Sequence, residues 1–259
     1  MVAGCDMATA VAAQAGQPLV VVGGGDGTLG CAAGALVEAG SQATLGILPL
    51  GTRNHLAGEL NLPADLAAVA RLIADGPRRR IDVGRVNGHH FVNNASIGFY
   101  PEMVQRREAL QRRAHLPKWL ANVPAAWTTL KRARHHRLRL TLDGERTPVR
   151  TPLLFVGNNR YLLDRRSLGR RERLDEGVLS LFAVGPRHRV GLVGLALRTL
   201  VGRVDEDTDY AALGATRAFT VRLRRDHKAV ALDGEVVRIA GPLRFECLPQ
   251  ALEVAAPPA

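Results

Sequence analysis

A glycine-rich turn directly behind a short apolar run is the part of this sequence best suited to bind a phosphate. Val20-Val21-Val22 leads into Gly23-Gly24-Gly25-Asp26-Gly27-Thr28. Glycine lets the backbone approach a polyanion closely and adopt positive φ without steric cost. The N–H groups of this turn, with those of a helix predicted over residues 29–39, would form a concave anion site. The alternative is an ordinary strand-to-helix turn that happens to be rich in glycine.

A second segment further along the chain repeats this arrangement. Gly46-Ile47-Leu48-Pro49-Leu50 predicts a buried strand, and Gly51-Thr52-Arg53-Asn54-His55 predicts a loop and the start of a helix. Thr52 is a suitable N-cap residue, and such a role can coexist with ligand binding. Loops at the carboxyl ends of neighbouring parallel strands face the same ligand. A third motif, Asp233-Gly234-Glu235, follows an apolar run and by itself indicates a hairpin turn.

Taken together, these segments resemble the catalytic domain of the diacylglycerol kinase family, in particular its bacterial lipid-kinase branch. The resemblance covers nearly the whole chain. The glycine loop alone is shared with NAD kinases and phosphofructokinases, so the ordered set of motifs carries the resemblance. The further motifs are Val92-Asn93-Asn94-Ala95-Ser96-Ile97-Gly98, Gly157-Asn158-Asn159, Leu174-Asp175-Glu176-Gly177 and Leu232-Asp233-Gly234-Glu235.

The resemblance implies a kinase that uses ATP and Mg²⁺ to phosphorylate a lipid hydroxyl such as that of diacylglycerol. Glu235 would be the general base, and Asp233 would support it or help to bind metal. Asp26 would hold Mg²⁺ directly or through water, unless it is a turn-capping residue. Glu176 would belong to a second magnesium site, for which a surface turn is the alternative. The residues expected to bind the nucleotide are Gly24, Gly25, Asp26, Gly27, Thr28, Leu29, Gly30, Gly51, Thr52 and Asn54.

Three features depart from the family pattern. Relatives usually carry Asp at the position of Glu176, and many carry Asp at that of His55, which we interpret as the mark of a subtype. Relatives also begin with a strand and an Asn-Pro-x-Ser-Gly-like loop, which we expect this chain to lack as a fragment or a degraded paralogue. Two other functions therefore stay open: an NAD kinase-like enzyme, or a non-catalytic lipid- or nucleotide-binding paralogue.

The net charge of +11 is the one bulk property with functional content. Aromatic residues make up only 4% of the chain, so a stacking platform for nucleic acid is not expected. An anionic membrane surface is the favoured partner, and solvated arginines without a partner are the alternative. No segment reaches the length of a membrane span, and three scattered cysteines do not indicate disulfides. We expect a cytoplasmic, peripherally membrane-associated protein of undetermined oligomeric state. The arginines cluster at residues 106–113, 131–139 and 165–173.

The elements that must position these motifs fall into two patterns. Residues 1–83 alternate strands and helices, which predicts a parallel sheet with helices on its faces. From residue 84 to 248, short strands separated by turn pairs such as Asn87-Gly88 predict an antiparallel, sandwich-like domain with helical insertions near 101–134 and 188–201. The tail at 249–259 is expected to return to the first domain. The resulting fold class is α/β plus β, a three-layer α/β nucleotide-binding domain followed by a β-sandwich-like domain, as the resemblance to NAD kinase and diacylglycerol kinase also implies.

Overall fold

The computed structural model describes residues 4–51, 54–98, 136–142, 144–162, 170–184, 210–222 and 227–258. Within these ranges the chain forms four helices and fourteen strands. The helices are α1 (Gly4–Ala12), α2 (Asp26–Glu38), α3 (His55–Glu59) and α4 (Leu66–Asp75). The strands are β1 (Leu19–Gly24), β2 (Thr44–Pro49), β3 (Arg78–Val86), β4 (His89–Phe91), β5 (Asn94–Gly98), β6 (His136–Leu142), β7 (Glu145–Thr151), β8 (Leu153–Asn158), β9 (Leu179–Val184), β10 (Tyr210–Thr216), β11 (Ala218–Arg222), β12 (His227–Leu232), β13 (Glu235–Ala240) and β14 (Leu243–Ala255).

The N-terminal part of the chain is an α/β layer structure. β1 and β2 pair in parallel, with α2 as the crossover between them. Leu29 and Leu36 of α2 pack in one core with Leu45 and Ile47 of β2. Buried apolar strands of this kind are typical of a parallel sheet covered by helices. Both glycine-rich loops therefore lie at the carboxyl ends of β1 and β2, as the sequence predicts.

The remaining strands form a β-sandwich. One sheet has six strands in the order β10-β9-β8-β5-β12-β13, and each neighbouring pair is antiparallel. Alternate residues of β6 and β11 turn inward, which buries Leu138, Leu140 and Val221 against the six-stranded sheet. Phe219 and Phe245 stack in the same core with ring centroids 4.8 Å apart.

The last strand, β14, belongs to both parts of the molecule. It pairs antiparallel with β3 and β11, and its end pairs in parallel with β2 through Glu253 opposite Thr44 and Val254 opposite Leu45. Phe245 lies in the sandwich core, whereas Val254 lies in the core beneath the parallel strands. One sheet therefore runs without a break from the glycine-rich loops into the sandwich. The positions of the domain boundaries stay a prediction.

The architecture confirms the mixed fold expected from the sequence, with specific differences. β10 was not predicted, and β7 was predicted only indirectly, by the hairpin pair Asp143-Gly144 that precedes it. β7 contains Pro148 and lies at the edge of its sheet, where proline is tolerated, and its residues do not alternate clearly. The predicted insertions near 101–134 and 188–201 lie outside the described residues. None of the helices in the described ranges is long and apolar enough to cross a membrane.

Candidate active site

The loop between β1 and α2 exposes the backbone donors at the start of a helix. The N-cap of α2 is Gly25, so no side chain at this position caps the backbone N–H groups of the first turn. The N–H of Leu29 donates to the Gly25 carbonyl at 3.0 Å, so the N–H groups of Asp26, Gly27 and Thr28 precede the first helical hydrogen bond. A helix N-terminus carries a partial positive charge of about half a unit. The loop can therefore receive an anion through its backbone.

The second loop is pressed against the first. A Cβ added to Gly51 would overlap the Cα of Gly25, so only glycine permits this approach. Asn54 fixes the loop: its Oδ1 accepts from the Gly51 N–H at 3.1 Å, and its Nδ2 donates to the carbonyls of Pro49 at 3.1 Å and Gly51 at 3.0 Å. Asn54 therefore fixes the backbone conformation of the second loop of the candidate nucleotide site. Thr52, the other polar residue predicted here, lies outside the described residues.

Asp26 joins the two loops through its carboxylate. Oδ2 accepts from the N–H of His55 at 3.2 Å, and Oδ1 accepts from the N–H of Leu56 at 3.1 Å. Asp26 thus caps the distant helix α3 rather than its own turn, while it lies half-buried at the start of α2. Each carboxylate oxygen has a further lone pair, so capping leaves Asp26 able to bind a cation. Its metal role stays a prediction.

The turn between β12 and β13 is anchored by Asp233. Asp233 and Gly234 both have positive φ, 48° and 91°, as a two-residue hairpin turn requires. The Asp233 carboxylate accepts from the N–H groups of Val92 at 2.8 Å, Asn93 at 2.8 Å and Asn94 at 3.0 Å. Asp233 therefore fixes the β12–β13 turn to the chain that links β4 and β5.

Both carboxylates of this turn lie against α2. A Cβ built at Gly30 would lie 2.5 Å from Oδ2 of Asp233, and one built at Gly27 would lie 2.7 Å from Oε1 of Glu235. Gly27 and Gly30 are three residues apart and share one helix face. Glu235 is exposed. The sandwich therefore places an accessible carboxylate beside the first turn of the helix behind the glycine loop.

Burial raises the pKa of the Asp233 carboxyl. Loss of hydration raises the pKa of this carboxyl to about 6, although the hydrogen bonds from the N–H groups of residues 92–94 oppose that rise. The folded protein therefore binds more protons than the unfolded chain between the ordinary pKa of 3.8 and 6. The stability that this carboxyl contributes is fully present below about pH 4 and is lost as the pH rises through 6.

We expect this titration to appear as a pH-dependent difference in stability between the wild type and Asp233→Asn. From pH 4 to pH 7, the free energy of unfolding of the wild type should fall relative to that of the variant by about 2 kcal/mol. Urea denaturation at several pH values measures this difference, and the lost backbone hydrogen bonds add a constant offset. Asp75→Asn, at the exposed end of α4, is the control. A pH-independent difference for Asp233→Asn would contradict the expectation.

Glu176, the predicted ligand of a second metal, is engaged by other groups. Its Oε2 accepts from the N–H of Arg160 at 2.8 Å, and its Oε1 lies 3.0 Å from Nη1 of the same arginine. The backbone N–H of Glu176 donates to Oδ1 of Asn159 at 3.0 Å. Asp175, beside it, is paired with Arg173, which holds the pKa of that carboxyl below its usual value. In the described ranges no three His, Cys, Asp or Glu side chains are grouped as metal ligands. A metal at Glu176 stays a prediction.

A buried ion pair lies behind the site, and the sequence did not reveal it. The Arg171 guanidinium is 1% exposed and the Glu59 carboxylate 6%. Arg171 donates to Glu59 through Nε at 3.0 Å and through Nη2. Its Nη1 donates to the carbonyls of Val92 at 2.8 Å and Asn158 at 3.0 Å, and its Nη2 donates to Oδ1 of Asn93 at 2.7 Å. A solvated or lipid-facing role, expected for the whole 165–173 cluster, does not fit this arginine.

Tyr161 completes this network. The Arg171 guanidinium carbon lies 5.5 Å from the centre of the Tyr161 ring, and the Tyr161 hydroxyl donates to the Asn93 carbonyl at 3.0 Å. Burial raises the pKa of this hydroxyl to about 12. The backbone of residues 92–94 is therefore held on its N–H side by Asp233 and on its carbonyl side by Arg171 and Tyr161. Through Glu59, the same network reaches the helix that follows the second loop.

Comparison with known proteins identifies the family. Residues 3–86 match the diacylglycerol kinase catalytic domain, and residues 102–256 match the YegS C-terminal NAD kinase beta sandwich-like domain. A probable lipid kinase YegS-like protein of Pseudomonas savastanoi pv. phaseolicola is 32% identical over 250 residues, which are 95% of this chain and 78% of that protein. The chain belongs to the YegS-like lipid kinase family. This confirms the resemblance found in the sequence.

A second relative has the same name, and two solved structures share the fold. A probable lipid kinase YegS-like protein of Chromohalobacter salexigens is 35% identical over 185 residues, 70% of this chain but only 58% of that relative's length. A putative diacylglycerol kinase from Bacillus anthracis has a TM-score of 0.76 at 24% identity and covers all of this chain and 83% of its own. Yeast NADH kinase complexed with NADH has a TM-score of 0.50 at 12% identity, over 92% of this chain and 60% of that structure. These two likenesses show the shared fold.

Proposed function

We propose that the chain transfers the γ-phosphoryl group of ATP to the hydroxyl of a lipid such as diacylglycerol, in a Mg²⁺-dependent reaction. The observation that carries this proposal is the position of Glu235. Its carboxylate belongs to the sandwich, yet it lies against Gly27 in the first turn of α2, behind the glycine loop. Phosphoryl transfer uses backbone groups that hold the donor phosphates and a residue that orients the acceptor hydroxyl.

The first loop supplies the cradle. The backbone N–H groups of Asp26, Gly27 and Thr28 would bind the phosphates of ATP, and the second loop, held by Asn54, would close the nucleotide site. Asp26 is the residue that would hold Mg²⁺, since this ion is commonly bound by one or two carboxylates together with substrate phosphates. The bound ion would neutralise charge that develops on the phosphates. The lone pairs that Asp26 keeps after capping α3 fit this role.

Glu235 would act on the acceptor. Its carboxylate takes the proton of the lipid hydroxyl while the hydroxyl oxygen forms a bond to the γ-phosphorus, and the bond from that phosphorus to the ADP oxygen breaks. ADP and the phosphorylated lipid leave, and the proton on Glu235 passes to water, to which this exposed side chain has access. Asp233 would fix the turn that carries Glu235 rather than touch the substrate.

Transfer of labelled γ-phosphate into lipid tests this proposal. The chain is incubated with labelled ATP, Mg²⁺ and diacylglycerol in mixed micelles, with NAD offered as acceptor in a parallel sample. We expect labelled phosphatidic acid, no labelled NADP, and loss of the product when Mg²⁺ is chelated. A folded, ATP-binding chain that gives no labelled lipid, or that labels NAD instead, would contradict the proposal.

A further inference from the structure

The outer surface of the eight-stranded sheet carries a compact group of arginines, which we call the arginine face. Its strands are adjacent in the order β14-β11-β6-β7. On β6 the residues that alternate with the arginines, Leu138 and Leu140, point into the sandwich core. All members are exposed. They are Arg137 and Arg139 on β6, Arg146 and Arg150 on β7, Arg222 on β11 and Arg244 on β14.

The register of the strands brings like charges directly opposite each other. Arg137 lies opposite Arg150, and Arg139 lies opposite Arg222. Like charges at such positions destabilise a sheet. In the next row Arg146 and Arg244 lie at the two ends, and Thr141 and Thr220 lie between them. The face therefore concentrates positive charge at a cost to the stability of its own strands.

Carboxylates do not balance this charge in the part of the chain that the structure describes. The three rows that hold the arginines contain only threonine and proline besides them. Glu246, on the same side of β14, is committed to Arg85 at 2.7 Å. Neighbouring strands are about 4.8 Å apart and successive rows about 7 Å apart. These spacings are below the physiological Debye length of about 8 Å, so the fields of the arginines add.

We propose that the arginine face docks the chain onto an anionic lipid bilayer. This inference rests on the proposed function, because a lipid acceptor is held in a bilayer. Guanidinium groups bind phosphate oxygens in bidentate geometry, which suits phospholipid headgroups. A broad sheet surface can also present several arginines to one plane at the same time.

Nucleic acid fits the arginine face less well than a bilayer does. Binding of single strands depends on aromatic side chains on which bases stack. The aromatic residues of these strands, Phe219 and Phe245, are stacked on each other in the core. The outward residues beside the arginines are threonine, proline, alanine and Glu246, none of them aromatic. The face therefore offers charge for a headgroup layer without a stacking surface for bases.

Vesicle sedimentation without ATP tests the docking surface. The full chain should bind vesicles of phosphatidylcholine with phosphatidylglycerol, should not bind vesicles of phosphatidylcholine alone, and should be released by salt. In Arg139→Gln/Arg222→Gln, binding should weaken about 30-fold, because each basic residue near such a surface contributes about 1 kcal/mol. The matched control Arg71→Gln/Arg238→Gln removes the same charge from two exposed sites elsewhere, on α4 and β13, and should change binding less than threefold.

The folding of the variant is checked separately. Since Arg139 and Arg222 repel each other, removing both charges should leave the thermal midpoint unchanged or raise it. Equal vesicle binding by wild type and Arg139→Gln/Arg222→Gln, or equal losses in that variant and the control, would overturn the proposal. Binding to duplex DNA that depends on the face, with none to vesicles, would also overturn it. Transfer to a short-chain diacylglycerol in solution reports on the kinase proposal independently, because it needs no vesicle.

Discussion

Replacing Glu235 with glutamine is expected to lower the turnover number for lipid phosphorylation by a factor of about 10² to 10⁴. The amide has the size and shape of the carboxylate, but it cannot accept the proton of the acceptor hydroxyl. The KM for ATP should change less than threefold, since the phosphates would contact backbone groups of the first loop rather than this side chain. Steady-state transfer to diacylglycerol and equilibrium binding of an ATP analogue measure the two quantities.

The chain contains its own control for this substitution. The tetrapeptide Leu-Asp-Gly-Glu occurs twice, ending at Glu145 and at Glu235. Both glutamates begin the second strand of a hairpin and both are exposed, but only Glu235 lies against α2. Glu145→Gln should therefore leave turnover unchanged. If Glu235→Gln kept turnover within a few-fold of the wild type while binding ATP normally, the assignment of the general base would be wrong.

The largest effect on stability is expected at the buried ion pair. Glu59→Gln should lower the free energy of unfolding by about 3–5 kcal/mol, because it leaves the Arg171 guanidinium buried without its counter-charge. The remaining hydrogen bonds of the Arg171 side chain are to backbone carbonyls and Asn93, and these neutral acceptors do not supply that charge. Urea denaturation gives the change as a lower midpoint at an unchanged slope.

Two further variants separate burial from charge. Glu172→Gln removes an exposed carboxylate beside Arg171 and should alter stability by less than about 0.5 kcal/mol. Glu59→Met/Arg171→Met replaces both charges with apolar chains of similar volume, and it should recover most of the stability lost in Glu59→Gln. A single variant as stable as the wild type would show that the pair is not needed for the fold.

The duplicated tetrapeptide shows what local sequence can and cannot predict. In both copies one strand ends at the Leu and its antiparallel partner begins at the Glu, as the Asp-Gly pair predicts. Local pattern cannot distinguish the copies, because the surroundings of Glu235 are set by Gly27, far away along the chain. The resemblance to a family singled out the second copy. The structure adds the reason for the two small residues at positions 27 and 30 of α2: they make room for the carboxylates of the turn.

The glycine loops could be predicted from local sequence, whereas the buried network around Arg171 could not. Gly25 and Gly51 were predictable as loop residues because glycine next to an apolar strand is a strong local signal, and the structure brings them into contact. Arg171 was not predictable, since it lies in a run of arginines and its partner Glu59 precedes it by 112 residues. Exposed and buried arginines have the same local signature. Only long-range packing decides which guanidinium loses its water.

The double membership of β14 has a consequence for biosynthesis. β2 lies between β1 and the end of β14, so its hydrogen bonds on one edge are completed by residues 253 and 254. After β2 has been synthesised, the ribosome must therefore still add about 200 residues before residues 253 and 254 exist, which takes roughly 10–40 s at typical rates of synthesis. The N-terminal half of the molecule is made first, but its sheet is completed only after β14 has been synthesised. During that interval the exposed edge of β2 is open to wrong pairing, and a chaperone that covers nascent strands would act there.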